Sequence, residues 1–173
     1  MALLGLTRPC TKNNGGGAAF YLTKAENVSS MTLGSGVQSY SAITMVSGEV
    51  FTKYEFEEDI AAYRPGSEAT KGAYKVTDVI EIDLGKVDQA QRDAIQELLE
   101  NNACGFVGIY ESNNGDKWVI GYDELDGTDR PLRVTTTAGD TKQDLMEPSN
   151  NILTMTRIGR EMSREFTGTV PTT

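Results

Sequence analysis

Apolar and polar positions alternate modestly before residue 50 and more clearly in several stretches after it, and one stretch cycles with the period of a helix. AAFYLTKAENVSSMTL (18–33) reads as one or two strands interrupted around Ala25 to Asn27, and GVQSYSAITMVS (36–47) continues the β character through Val37, Tyr40, Ile43, Met45 and Val46. VFTKYEFEED (50–59) places Phe51 and Lys53 on one face and Thr52, Tyr54 and Phe56 on the other. AYKVTDVIEIDL (73–84) predicts a strand whose Ile80, Ile82, Leu84 register is apolar and whose Glu81, Asp83 register meets water.

The helical period appears in GKVDQAQRDAIQELLENN. Asp88 fits an N-cap with Gln91 three residues on, as in a capping box, and Asn101-Asn102 end the helix. Ala90, Ala94, Ile95, Leu98 and Leu99 form the stripe expected to pack on a sheet. GIYESNNGDKWVIGY (108–122) then reads as a hairpin whose Ser112–Asp116 connection holds Asn114-Gly115. Trp118, Ile120 and Tyr122 share a face of its second strand, while Phe106, Val107 and Ile109 suggest a first strand covered on both sides. DELDGTDRP is a polar turn, LRVTTT a strand, AGDTKQDLMEPSNN a loop, and ILTMTRIG a strand to about Gly159, with residues 160–168 open between strand and short helix.

The implied fold class is α+β, mainly β: antiparallel sandwich or barrel-like sheets with one packed helix at about residues 88–101, long loops and terminal arms. The chain reads as a single domain over 1–173, with an N-terminal arm at 1–17, a long loop at 57–73 and a C-terminal tail at 166–173. Pro65-Gly66 and Gly72 motivate the loop, and NNGGG the hinge behind the arm.

Composition narrows the chemistry. The chain has no histidine, which excludes Ser-His-Asp and Cys-His catalysis and His-ligated metals. A formal charge of -9 argues against gripping nucleic acid through its phosphates. Cys10 and Cys104 lack the spacing of a metal knuckle or redox pair, and Cys104, within ACGFVGI, is expected as a small buried hydrophobe. The start MALLGLTRPC is too short an apolar run for a signal-peptide core or a membrane span, so cytoplasmic synthesis is expected.

Each candidate site has a plain structural reading beside it. Glu55, Glu57, Glu58 and Asp59 are a candidate Ca²⁺ or Mg²⁺ site, a general acid/base pair or a solvated rim. Asp123, Glu124, Asp126 and Asp129 fail the calcium-loop pattern, since Tyr122 stands where the first Asp ligand belongs. Trp118 with Tyr110 and Tyr122 offers a carbohydrate-stacking platform or core filling. Arg157, Arg160 and Arg164, mixed with Glu161 and Glu165, suit an acidic neighbour better than nucleic acid. A carboxylate hydrolase would need Glu81, Asp83 and the 123–129 turn to converge in a pocket. No catalytic, cofactor or metal residue is assigned, and the chain is expected not to be an enzyme.

GGGAAFYLTKAENVSSM, YEFEEDIA, VIEIDLGKVDQAQRDAIQELL and NNGDKWVIGYDELDG together resemble tail-associated structural proteins in phages of gut Bacteroidetes, within the wider group of phage tail tube and neck or tail-barrel ring proteins. The likeness covers most of the chain. It implies a virion protein of the tail or neck whose copies pair edge strands in a hexameric or dodecameric ring. Neighbouring virion proteins would sit above and below, DNA would pass through the lumen without specific binding, and no membrane would be involved. The remaining alternative class is a carbohydrate-binding or adhesive module.

Overall fold

The computed structural model describes residues 13–35, 38–54, 56, 61–142, 146–147 and 149–172. The elements are β1 (Gly17–Lys24), a 3-10 turn at Ala25–Asn27, β2 (Val28–Leu33), β3 (Tyr40–Met45), β4 (Thr52–Tyr54), β5 (Ala62–Thr70) and β6 (Ala73–Asp83). They continue with α1 (Gln89–Glu100), β7 (Phe106–Ser112), β8 (Lys117–Ile120), β9 (Arg133–Asp140), β10 (Asn150–Gly159) and β11 (Arg164–Glu165). Among the described residues the fold is mainly β with one α-helix, and every ladder between these strands is antiparallel.

Three sheets form, in the orders β11-β8-β7-β1-β4, β5-β6-β10-β9 and β2-β3. The five-stranded sheet is the middle layer. Its Phe20, Leu22, Phe106, Tyr110 and Ile120 meet Ile80, Ile82, Val134, Leu153 and Met155 of the four-stranded sheet in one core. On the opposite side Val107, Ile109 and Val119 meet Val28, Met31 and Tyr40 of the β2-β3 ribbon, with Phe51 and Phe166, in a second core. This explains the uninterrupted apolar run in β7, which a strand with one wet face would not carry. Full burial of a side chain such as Phe20 or Ile109 contributes about 2 to 3 kcal/mol.

Isolated bridges tie the C-terminal stretch to the rest of the body, Phe166 to Tyr40 at the start of the ribbon strand β3 and Thr172 to Phe51 just before β4. Phe51 N–H donates to Pro171 O at 2.8 Å, and Val170 packs on the second core. Residues 166–172, expected as a free tail, are therefore docked on the body.

The helix begins and ends as its sequence suggests, with Asp88 accepting from Gln91 N–H at 3.0 Å and Asn101 at the C-cap. Its buried face is rotated from the expected stripe. Ile95 and Leu98 are buried, whereas Ala90 and Leu99 are exposed. Gln91 occupies the inner row instead, donating to Leu84 O at 2.7 Å and accepting from Asn151 Nδ2 at 3.2 Å. Those two partners explain why its amide does not complete a capping box.

Other expectations also need correction. The stretch 57–73 is not one long loop, because Ala62–Thr70 pairs with β6 along its whole length, turning at Lys71 (φ 45) and Gly72 (φ 89). Pro65 is tolerated because β5 is an edge strand, where a missing N–H costs no ladder bond to a second neighbour. Asp83 is buried, its Oδ1 accepting from Gly85 N–H at 2.8 Å and Asn151 N–H at 2.9 Å. The expected loop at 138–151 shrinks because β9 runs to Asp140 and β10 starts at Asn150. Residues 164–165, within the stretch open to strand or helix, form β11 on the margin of β8.

Tyr122 leaves the Trp118–Ile120 face. Gly121 adopts φ 98 with its α-carbon against Phe106 O and Leu132 N, where a Cβ would not fit, and the kink sends Tyr122 to the second core. There it meets Tyr40 edge-on at 5.7 Å. Cys104 is exposed, because it follows the helix end and precedes the buried strand. Cys10 and most of the N-terminal arm lie outside the described residues.

Burial pushes the Tyr54 hydroxyl up to about 12. Burial likewise raises Tyr40, Tyr63 and Tyr110, the first two further aided by the nearby Glu124 and Asp78 carboxylates respectively. A phenol raised in the folded state stabilises it fully below the unfolded value, and that stability is lost as pH rises through the folded one. Stability should therefore fall above pH ~10, the unfolded tyrosine value. In a titration followed by phenolate absorbance these four tyrosines should ionise together with loss of near-ultraviolet circular dichroism; independent ionisation in a folded protein would contradict their burial.

Candidate functional site

The most densely connected polar group is Arg157, on the inward row of β10 with Leu153 and Met155 and only 1% exposed. Its register partner on β6 is Asp78, itself on the inward row with Val76, Ile80 and Ile82. A cross-strand pair of opposite charge is thus built into the wall of the first core.

Arg157 Nη1 donates to Asp78 Oδ2 at 2.9 Å and to Glu161 O at 3.2 Å, while Nη2 donates to Asp123 Oδ2 at 2.5 Å and Nε to Arg130 O at 3.2 Å. Asp78 also accepts from Tyr63 Oη at 2.8 Å and Ser163 Oγ at 2.9 Å. Asp123 Oδ1 takes the Asp126 N–H at 2.6 Å. One guanidinium therefore holds β10, β6, the 123–130 turn and the 161–163 segment together. Gly159 lies directly beneath the guanidinium, where any Cβ would collide with it.

This is a structural node. Both carboxylates are engaged by the cation and by further donors. Glu81 and Asp83 do not join them: Glu81 pairs with Arg64 at 3.3 Å on the surface, and Asp83 closes the β6 end. Of the 123–129 turn, Asp123 reaches the node, and Asp126 pairs with Arg130 and Arg160 outside it. The Arg160 hydrogen bond, then its charge and that of Arg130, hold the Asp126 carboxyl below the usual range. Arg164 contacts Gln38 at 2.5 Å and Glu161 at 3.3 Å, so the basic residues near the C-terminus find their acidic and amide partners within the chain.

Above the node lies an open groove of 680 Å3, lined by Gln38, Tyr74, Trp118 and residues 160–165. Trp118 is half-buried and packs toward Tyr63 at 6.5 Å, while Tyr74 and Met162 are each 60% exposed. The candidate platform of Trp118, Tyr110 and Tyr122 is not assembled, since Tyr110 and Tyr122 lie on opposite faces of the middle sheet. Of the acidic cluster, Glu55, Glu57, Glu58 and Asp59 lie outside the described residues. Among the described residues no group of three or more potential ligands could hold a metal ion.

The other prominent surfaces belong to the four-stranded sheet. β5 and β9 are its two margins, each paired on one side only among the described residues, and most of their residues are exposed. Residues 64–75 are exposed throughout, so the end of the β5-β6 hairpin projects about 10 Å beyond the last core position, Val76. At the start of β9 the Asn102 side chain donates to Val134 O at 3.0 Å and accepts from Val134 N–H at 2.8 Å, capping the first rung. The rest of that margin has no strand beside it among the described residues.

Sequence reasoning missed Asp78 and Arg157 as partners. The signal was present as a single charge in each of two apolar rows, Val76-Asp78-Ile80-Ile82 and Leu153-Met155-Arg157. Two such charges of opposite sign ask to be paired with one another.

Comparison of the chain with known protein families, with curated protein sequences and with solved structures finds no match. Among the described residues no helix is long and apolar enough to cross a membrane.

Replacing Arg157 by Leu would strand two buried carboxylates and should cost about 3 to 5 kcal/mol in chemical denaturation. Gly159→Ala should destabilise in the same direction by displacing the guanidinium. An Arg157→Leu variant as stable as the parent would show that the node contributes nothing to the fold.

Proposed function

We propose that this chain is a structural subunit that works by repeating itself around an axis, as a phage tail tube protein or a neck or tail-barrel ring protein. The observation that carries the reading is the pair of long unpaired margins, β5 and β9, on opposite sides of one sheet. Pairing β5 of one copy with β9 of the next joins unlike surfaces, and such a contact propagates into a ring when its rotation closes. The projecting 64–75 hairpin offers reach toward a neighbouring ring or an adjoining virion protein.

Further support comes from chemistry. The buried acids Asp78 and Asp123 are committed to Arg157, which leaves that part of the interior without a reactive centre. The subunit's charge of -9 suits a protein that lets DNA pass without holding it.

A second reading, an adhesive or carbohydrate-binding module, draws on the groove beside Trp118 and Tyr74. It predicts glycan binding by a steady monomer.

Light scattering and negative-stain electron microscopy of the concentrated protein should show rings or tubes. Ala69→Lys and Thr136→Lys, both at exposed positions of the two margins, should together abolish them while leaving the thermal midpoint of the subunit unchanged. Monomers at all concentrations, or rings indifferent to both substitutions, would overturn edge pairing.

A further inference from the structure

The β1-β7 ladder has its last pair at Gly17 and Ser112, where β7 turns into the hairpin connection. Beyond that point two asparagine side chains continue the pairing. Asn114 Oδ1 accepts from Asn14 N–H at 2.9 Å, and Asn114 Nδ2 donates to Asn14 O at 3.1 Å and to Asn13 Oδ1 at 2.9 Å. Its primary amide thus does for Asn14 what a peptide group of a neighbouring strand would do. Asn113 adds its Nδ2 to Gly15 O at 2.8 Å and its N–H to Gly16 O at 3.2 Å.

The residue after Asn114 is Gly115, which sits at φ 89 in an exposed turn with nothing near its α-carbon. An Asn followed by Gly is the dipeptide in which the next backbone nitrogen meets least hindrance on its way to the side-chain carbonyl. In the closed arrangement both reacting groups are occupied. Gly115 N–H donates to Ser112 O at 2.9 Å, and the Asn114 amide is held by residues 13 and 14.

We propose that Asn114 is a deamidation site that acts as a latch on residues 13–16. When these residues lift from the hairpin, the Gly115 nitrogen gives up its proton and bonds to Asn114 Cγ. The Cγ–Nδ2 bond breaks and ammonia leaves with that proton, forming a succinimide. Water then opens the ring to aspartate or isoaspartate. A carboxylate at this place keeps the bond from Asn14 N–H but faces Asn13 Oδ1 and Asn14 O acceptor to acceptor, so two of the three contacts are lost and the latch recloses less well. The inference is independent of ring formation.

Two variants and one ageing experiment test it, with hydrogen exchange of residues 13–24 as readout. Asn114→Asp reproduces the product and Asn114→Ala removes the amide altogether. In both, residues 13–17 should exchange about tenfold faster, while 19–24 and the thermal midpoint stay as in the parent. Full-length parent protein aged in mildly alkaline buffer should gain the mass of deamidation on the peptide containing Asn114, and the fast-exchanging molecules should be the modified ones. Parent-like exchange in Asn114→Asp, or aged protein modified at Asn14 with Asn114 intact, would overturn the proposal.

Discussion

The rest of the structure depends on one constraint, the burial of both faces of the five-stranded sheet. β7 and β8 place alternate side chains in two separate cores, Tyr110 and Ile120 on one side and Val107, Ile109 and Val119 on the other. A sheet so apolar on both sides is unstable without two covers. The four-stranded sheet is one cover and the β2-β3 ribbon, with Phe51 and Phe166, the other. The docked C-terminal stretch follows from the same need, because Phe166 and Val170 complete the second cover.

The elements legible in the sequence were those whose signal is local. The helix showed itself through Asp88 and its period, and the hairpin through Asn114-Gly115 between two apolar runs. The loop expected at 57–73 hid a strand because β5 is an edge with few core contacts, so Pro65, Gly66 and a run of polar residues carried no cost there. The face of Tyr122 was misread because alternation assumes an unbroken strand, and Gly121 breaks it. In β10 the alternation is unbroken, so Leu153, Met155 and Arg157 point inward while Ile158, on the outward row, is 53% exposed.

The polar interior was the least legible part. Asp78 and Arg157 lie 79 residues apart, and their meeting requires the β6-β10 register, which no local pattern specifies. Once they are opposed, the node fixes the 123–130 turn and the 161–163 segment. The groove beside Trp118 is shaped by these anchored segments. A network of this kind contributes less to net stability than to selecting a single arrangement, since shifting the register by one residue would bury unpaired charge.

The kink at Gly121 has a consequence for how the molecule comes apart. Within three residues the chain delivers Ile120 to one core and Tyr122 to the other, and β7 feeds both along its length. Neither cover can peel away without exposing one side of strands that the remaining cover still needs flat and paired. The two cores are therefore bound into a single melting unit, and the protein under load would yield as a whole or not at all.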